Sequence, residues 1–271
     1  MFERVTQAMV PQVLEYFARD YKNCLYSYID LKKYSLDNPN LELYLDRTAD
    51  GTIRCVLTKY YGGVNVFSHE NMLDVETTVQ KLKELKPTMV NAPADTIAML
   101  RAPLEATDSE SKYEYEQGFV TELRTCAAED TAFPEVEVAG TGDIPEIARL
   151  ICTDEGLGGT YEPESFAKQL LERYEDDFGR YYCIRQNGRI VCHAGTYAEV
   201  DDLAVISGVI TAEDCRGQNL AYKVVSKLGK DLLDEGKLPC LFYYTKSAAR
   251  LYEKVGFASG SPWAKLIRKQ G

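Results

Sequence analysis

The sequence predicts a mixed α/β protein of the α+β class, in which helices flank a central sheet that is mostly antiparallel. Three observations lead to this prediction. Apolar runs of strand length recur along the whole chain and alternate with amphipathic segments of helical spacing. Several consecutive runs are joined by short turns, which is typical of antiparallel hairpins. Residues 205–257 differ, because they read as strand, turn, helix, strand, helix.

Length and composition indicate a folded protein of two ordinary domains or one large one. The chain has 271 residues, of which 45% are hydrophobic and 27% are charged. Its formal net charge of −11 argues against nucleic acid or an anionic membrane surface as a general partner. The charge has two interpretations: it solvates the surface, or it gives a mild preference for cationic amine substrates.

Cysteine usage indicates a reducing compartment. Eight cysteines are scattered without CxxC spacing, and several lie inside apolar runs, as buried free thiols do. A zinc site is not expected, because this spacing is missing and the chain has only two histidines. The N-terminal segment carries acidic residues within its apolar pattern, unlike a signal peptide or a membrane span. We therefore expect a cytoplasmic protein without a metal.

The N-terminal half is predicted to form helices, then a three-stranded meander, then alternating elements. Asp50-Gly51 is a hairpin signal, and Gly62-Gly63 predicts a second tight turn. The expected elements are a helical region over 7–34 with a second helix over 25–33, strands over 41–47, 53–61 and 64–67, a helix over 75–85, a strand over 88–91, a helix over 94–100, and a strand over 113–124 that is interrupted at Gln117-Gly118.

The C-terminal half begins after a small, polar stretch that ends at Pro134. We place a linker over residues 126–134, between an accessory domain over 1–125 and a second domain over 135–271. Asn187-Gly188 predicts a tight hairpin in this second domain. Its expected elements are a strand over 135–139, helices over 143–151 and 164–174, strands over 180–185, 189–198 and 203–211, a helix from 220, a strand over 238–244, a helix over 247–255 and a last strand over 261–268.

The turn before the helix at residue 220 is the strongest chemical signal. The first N–H groups of a helix lack internal partners and add to the helix dipole, so they attract an anion. Gly217 lets the backbone approach a ligand closely, and Arg216 adds a positive charge beside it. The turn therefore predicts a phosphate or diphosphate site.

Two motifs give this region a family resemblance. The turn reads Arg216, Gly217, Gln218, Asn219, Leu220, Ala221, and residues 251–257 read LYEKVGF. With the order of elements, they resemble the GNAT superfamily of acyl-CoA N-acyltransferases, whose corresponding turn holds the diphosphate of acetyl-CoA. The resemblance covers residues 135–269 well and the first 125 loosely. The whole chain resembles two-part bacterial GNAT proteins with a degenerate N-terminal half; an unrelated α+β accessory domain is the alternative.

The resemblance implies roles for individual residues. The six turn residues would hold the diphosphate, although Asn219 stands where the family usually has Gly; Asn tolerates positive φ better than most residues. The N–H of Val209 would face the thioester carbonyl, and Ile210 and Thr211 would line the pantetheine arm. Gly208 would accommodate a bulge that opens the sheet. Thr245 stands where relatives often have an asparagine that faces the coenzyme.

The proton-transfer groups are less evident than the coenzyme site. Tyr252 lies where many relatives place the acid that protonates the leaving thiolate, with a core tyrosine as the alternative. Candidates for the general base are Glu155 in a glycine-rich loop, His193 and Glu199, with a water relay or a structural histidine as alternatives. The glycines of the loop over 153–160 suggest a mobile lid.

The expected function is therefore an acetyl-CoA-dependent N-acetyltransferase acting on a small primary amine. Expected partners are acetyl-CoA and that amine, without nucleic acid or membrane, and a homodimer is one candidate assembly. A different acyl group or acceptor is the nearest alternative. A non-catalytic acyl-CoA sensor is another, because Asn219 and Thr245 depart from the family pattern.

Overall fold

The computed structural model describes residues 1–107, 112–128, 133–154, 157 and 161–269. Two compact units make up the chain. The N-terminal unit consists of Met1–Val120 together with Ser261–Gly271, and the C-terminal unit consists of Thr121–Gly260. The domain boundaries that we placed at 125 and 135 stay a prediction, but the structure assigns the last strand to the other unit.

The regular elements follow the sequence prediction closely, usually within one or two residues. The strands are β1 Glu3–Arg4, β2 Leu41–Arg47, β3 Ile53–Tyr60, β4 Gly63–Phe67, β5 Met89–Pro93, β6 Lys112–Glu122, β7 Val136–Val138, β8 Tyr181–Gln186, β9 Arg189–Glu199, β10 Leu203–Thr211, β11 Leu238–Tyr243 and β12 Ser261–Lys269. The helices are α1 Val10–Ala18, α2 Leu25–Tyr34, α3 Val75–Leu85, α4 Ala94–Thr107, α5 Ile144–Ile151, α6 Pro163–Glu175, α7 Leu220–Asp234 and α8 Lys246–Val255.

The N-terminal unit contains a sheet in which β1, β2, β3 and β4 pair antiparallel in chain order and β5 runs parallel to β4. Strand β12 pairs antiparallel with both β5 and β6. Helices α3 and α4 contact each other, and their buried leucines and valines belong to the same core as the sheet. The predicted meander of three strands is confirmed.

The position of β12 corrects the sequence prediction. We expected this strand to complete the C-terminal sheet, but Ala264 and Leu266 are fully buried in the core of the N-terminal unit. The alternation of apolar and polar residues defines a strand and its faces, not its partner. The predicted interruption of β6 is also wrong, because Gly118 pairs within an unbroken register, opposite Trp263. There the glycine faces a bulky side chain across the ladder.

Five further strands, β7 to β11, lie in the C-terminal unit. Strands β7, β8, β9 and β10 pair antiparallel in chain order, and β11 runs parallel to β10. The apolar stripe that predicted α7 forms its buried face, which includes Leu220, Val224, Val225, Leu228 and Leu232. This face shares one core with α5, α6 and the sheet.

The two units repeat one order of elements. Each has a pair of helices, then three antiparallel strands, then a helix, a parallel strand and a second helix. All eight cysteines are free. None of the helices in the described part of the chain is long and apolar enough to span a membrane.

Candidate active site

Strands β10 and β11 of the C-terminal unit stop pairing part of the way along their length. Strands β10 and β11 pair in parallel from Leu203 and Leu238 up to Ile206 and Leu241. Beyond this point β10 continues to Thr211 and β11 to Tyr243. Backbone N–H and C=O groups that face a separation of this kind can pair with an extended ligand, as in strand addition. We call this feature the strand gap.

A β-bulge lies in β10 where the gap opens. Ser207 pairs with Gly195, and the next paired position is Ile210 with His193, so β10 has one more residue than β9 here. Gly208 has φ +63°, and an added Cβ would lie 2.4 Å from Oη of Tyr197. Both the dihedral angle and this close approach require glycine. The bulge expected at Gly208 is thus confirmed.

The residues after the bulge line the gap. Val209 and Thr211 are half-buried, whereas Ile210 is buried in the core of the unit. The hydroxyl of Thr211 lies 3.3 Å from Sγ of Cys192 on β9. The side chains therefore anchor this segment to the sheet. Its main chain is the part that a ligand in the strand gap could contact.

The predicted turn leads from the end of β10 into α7. Residues 216–219 are exposed, Leu220 is buried and Ala221 is half-buried. Gly217 has φ +80° with open space where a Cβ would stand. Asn219 has φ 63° and ψ 19°, so it adopts the left-handed conformation, which glycine and asparagine accept more readily than other residues. We call residues 216–221 the cradle.

The N-terminus of α7 receives no side-chain cap. Asn219 occupies the N-cap position, but its side chain makes no capping hydrogen bond. The first N–H groups of this helix therefore keep their capacity to bind an anion. The cradle is held from the side instead, because Nε of Arg216 donates to the carbonyl of Thr211 at 3.4 Å and Nε2 of Gln186 donates to Oε1 of Gln218 at 3.1 Å.

Lys254 on α8 is a neighbour of the cradle that we did not single out from the sequence. Its Nζ donates to Oδ1 of Asn219 at 2.9 Å and lies 4.5 Å from the ring centroid of Tyr222. The contact holds the Asn219 side chain and places a positive charge at the N-terminus of α7. The lysine of the LYEKVGF motif was the available signal, but sequence alone did not show which turn it would reach.

The corresponding region of the N-terminal unit is closed. Its helix α3 is capped by Asp74, whose carboxylate accepts a hydrogen bond from the N–H of Thr77 at 2.8 Å. A short 3-10 helix, Tyr21–Cys24, contacts both β4 and β5, the two parallel strands of that sheet. A negative cap and a packed segment thus occupy the positions that are open in the C-terminal unit.

Tyr252 lies on the buried face of α8. Its side chain is 7% exposed, and its ring packs against Tyr243 at the end of β11 and against Phe257. The hydroxyl makes no hydrogen bond to the described residues. Burial raises the pKa of Tyr252 well above its usual value. The phenol therefore keeps its proton at neutral pH, next to the strand that borders the gap.

Thr245 and Glu199 both have structural partners. The hydroxyl of Thr245 caps α8, because it accepts from the N–H of Ala248 at 3.2 Å. Glu199 is 5% exposed and accepts hydrogen bonds from Arg180, Lys237 and Thr196. Burial alone would raise the pKa of Glu199, but the bonds from Arg180 and Lys237 lower it.

Glu199 is therefore a poor candidate for the general base. Its register partner is Ala204, toward the opposite end of β10 from the bulge, and its carboxylate is neutralised by two cations.

The other two candidates for the general base differ in what the structure shows of them. Glu155 and the glycines 156, 158 and 159 of the expected lid lie outside the described residues. His193 is fully buried, with Nδ1 2.8 Å from the carbonyl oxygen of Gly208. Burial lowers the pKa of this histidine to about 4. Within the described part of the chain, no cluster of three or more His, Cys, Asp or Glu side chains could hold a metal ion.

Comparisons with known proteins identify similar sequences and similar folds. Residues 163–266 match the family model described as GNAT acetyltransferase. The fold is similar to a GCN5-related N-acetyltransferase from Sphaerobacter thermophilus, at 14% identity and TM-score 0.64, over 99% of this chain and 95% of that one. It is similar to a GCN5-related N-acetyltransferase-like protein from Streptococcus suis, at 17% identity and TM-score 0.60, over 96% and 100%.

The fold is also similar to that of a third solved structure. It is a tandem GNAT protein from the clavulanic acid biosynthesis pathway, at 12% identity and TM-score 0.57, over 98% of this chain and 97% of that one. The comparison with curated proteins found no match. The resemblance to the GNAT superfamily and the GNAT fold predicted from the sequence are confirmed.

Proposed function

We propose that this GNAT-fold protein is an acetyl-CoA-dependent N-acetyltransferase that acetylates a primary amine of a small molecule by direct attack on the thioester. The observation that carries the proposal is the cradle: an uncapped helix N-terminus after two left-handed residues, Gly217 and Asn219, in the unit where the strand gap opens. The cradle suits a diphosphate, and the gap suits the extended pantetheine arm.

Acetyl-CoA supplies an activated acyl group, and the chain's residues would bind and orient it. The backbone N–H groups of the cradle, with Arg216 and Lys254 beside them, would hold the diphosphate. The N–H of Val209 would face the acyl carbonyl, where negative charge develops as the amine attacks. The segment up to Thr211 would pair with the pantetheine amides through its main chain.

Proton transfer completes the reaction. The amine nitrogen forms the new C–N bond, the C–S bond breaks, and the departing sulfur takes a proton while the amine loses one. Tyr252 is the proposed donor to the sulfur, because its phenol is protonated at neutral pH and its hydroxyl has no described partner. The base remains a water relay or Glu155.

Turnover of an amine panel tests the proposal. Purified protein is incubated with acetyl-CoA and primary amines, and both the free thiol and the acetylated product are measured by mass spectrometry. We expect thiol release that depends on the amine and equals product formation. Stabilisation by acetyl-CoA without turnover of any amine would instead favour the second candidate, an acyl-CoA sensor. A ligand at a hundred times its Kd raises unfolding free energy by about 2.7 kcal/mol.

A further inference from the structure

His193 contacts the bulge of β10 from the neighbouring strand. The ring is fully buried, and Nδ1 lies 2.8 Å from the carbonyl oxygen of Gly208. A carbonyl oxygen can only accept a hydrogen bond, so Nδ1 carries the proton and Nε2 has a free lone pair. The ring is therefore a neutral donor that is directed at one backbone group.

The ring also fills the space beside that backbone group. A Cβ added to Gly208 would lie 3.1 Å from Cε1 of His193. A bulge leaves its extra residue without a regular ladder partner, and a buried carbonyl without a partner is costly. His193 supplies the donor that the ladder does not provide.

The bonded carbonyl belongs to a peptide unit with a second polar group. The C=O of Gly208 and the N–H of Val209 are parts of one planar, trans peptide, so they point in opposite directions. A hydrogen bond that directs the carbonyl toward His193 consequently directs the N–H of Val209 away from His193. Donation to the carbonyl also polarises the peptide and makes its N–H a stronger donor.

We propose that His193 is a positioning residue, whose Nδ1–H fixes the Gly208–Val209 peptide so that the Val209 N–H faces the acyl carbonyl of the coenzyme. This inference rests on the proposed function of the site. It differs from the general-base role that the sequence left open, because it assigns the histidine a bond to the backbone and no proton from the substrate.

The other ring nitrogen agrees with this assignment. Nε2 is enclosed and has no hydrogen-bond partner in the described residues. A Cβ added to Gly195 would lie 3.2 Å from Nε2, so this nitrogen lies close to the backbone of β9. A general base needs contact with the proton that it removes, directly or through water. Among the described residues, the ring makes one hydrogen bond, which is the bond to the carbonyl of Gly208.

Two substitutions distinguish the roles of the two ring nitrogen atoms of His193. In His193→Asn the amide nitrogen can take the place of Nδ1 and donate to Gly208, whereas in His193→Gln it reaches the place of Nε2. We expect H193N to keep kcat within about fivefold of wild type, and H193Q to lower kcat by roughly ten- to hundredfold, the order of a weakened oxyanion donor. Free CoA, which lacks the acyl carbonyl, should bind both variants with wild-type Kd.

A readout independent of activity is the protonation state of the ring. The chain has two histidines, so the side-chain nitrogen spectrum is simple, and His69→Gln assigns the signals. We expect the neutral Nδ1–H form of His193 at pH 7. On addition of acetyl-CoA, the amide signal of Val209 should shift downfield, and free CoA should shift it much less.

Several results would overturn the proposal. An Nε2–H or doubly protonated ring would do so even if H193Q failed to fold. Wild-type kcat in H193Q, or equal losses in H193N and H193Q, would remove the positioning role while amine acetylation by the wild type stands. A wild-type chain that does not bind acetyl-CoA would overturn the proposed function together with this inference.

Discussion

At the scale of single residues, Tyr252 is the position where a proposed catalytic group can be removed with the least effect on folding. Its ring is part of the core of the C-terminal unit, but its hydroxyl contributes no hydrogen bond among the described residues. A side chain of this kind keeps its packing when the hydroxyl is removed. The proposed role of the hydroxyl in turnover can therefore be tested without a change in fold.

We predict that Tyr252→Phe lowers kcat by about a hundredfold and leaves the Kd of acetyl-CoA and the stability unchanged, because only the proton donor is lost. The matched control is Tyr182→Phe. The Tyr182 hydroxyl donates to Asp231 at 2.7 Å on α7, so its removal should cost about 1 kcal/mol of stability but no turnover. Unchanged turnover of Y252F in steady-state assays would exclude the acid role.

The burial of His193 predicts how the free energy of unfolding depends on pH. Burial lowers its pKa to about 4, whereas the ring in an unfolded chain has an ordinary value near 6.5. Between these values the unfolded state binds a proton that the folded state does not, so the free energy of unfolding falls as pH falls. The contribution of the neutral histidine to the free energy of unfolding is present in full above about pH 6.5, and it amounts to about 3 kcal/mol.

Denaturant unfolding at pH 7, 6 and 5 checks this prediction, since carboxylates titrate mainly below that range. Wild type should lose stability toward pH 5 more steeply than His193→Asn, which has no ring to protonate. Parallel stability curves for the two proteins would show that the histidine is not held neutral by the fold.

At the scale of elements, the cradle combines a turn with two helices. The turn sets the left-handed residues, α7 supplies the N–H groups and α8 supplies Lys254. The exposed ammonium lies beside Asn219 and would add to the attraction of a diphosphate. The hydrogen bond from Lys254 also holds the Asn219 side chain in the turn.

We predict that Lys254→Met weakens acetyl-CoA binding by roughly three- to tenfold, with a smaller effect at high salt. Lys230→Met is the control, because it removes the same charge from the other end of α7, where Lys230 pairs with Asp234. Binding titrations at two ionic strengths distinguish the variants. Equal weakening in both would mean that net charge matters and the cradle does not.

At the scale of the whole molecule, the last strand shows the limit of sequence reading. Alternation placed β12 nearly to the residue, yet its partners are β5 and β6 of the N-terminal unit. Local patterns gave the helices, the strands and the turn residues 216–221, since these depend on spacing and backbone preference. The contacts of Asn219 with Lys254 and of His193 with Gly208 depend on tertiary register, which one sequence does not specify.

We predict that Leu266→Ala destabilises the N-terminal unit by about 2–5 kcal/mol, because this leucine of β12 is fully buried in that core. Hydrogen exchange should show lost protection in β2–β5 and retained protection in β8–β11. Leu228→Ala on α7 is the matched control and should give the opposite pattern. Loss of protection in β8–β11 of L266A would mean that β12 supports the C-terminal sheet instead.

The central claim is that one exposed helix N-terminus in the C-terminal unit binds the coenzyme. Calorimetric titration with acetyl-CoA tests this claim most directly. Wild type should bind one molecule per chain, and Asn219→Asp, which brings a carboxylate to the cradle, should bind about tenfold more weakly or worse. Asp74→Asn, at the capped helix of the other unit, should bind like wild type. No binding, two sites per chain, or wild-type affinity in N219D would contradict the account.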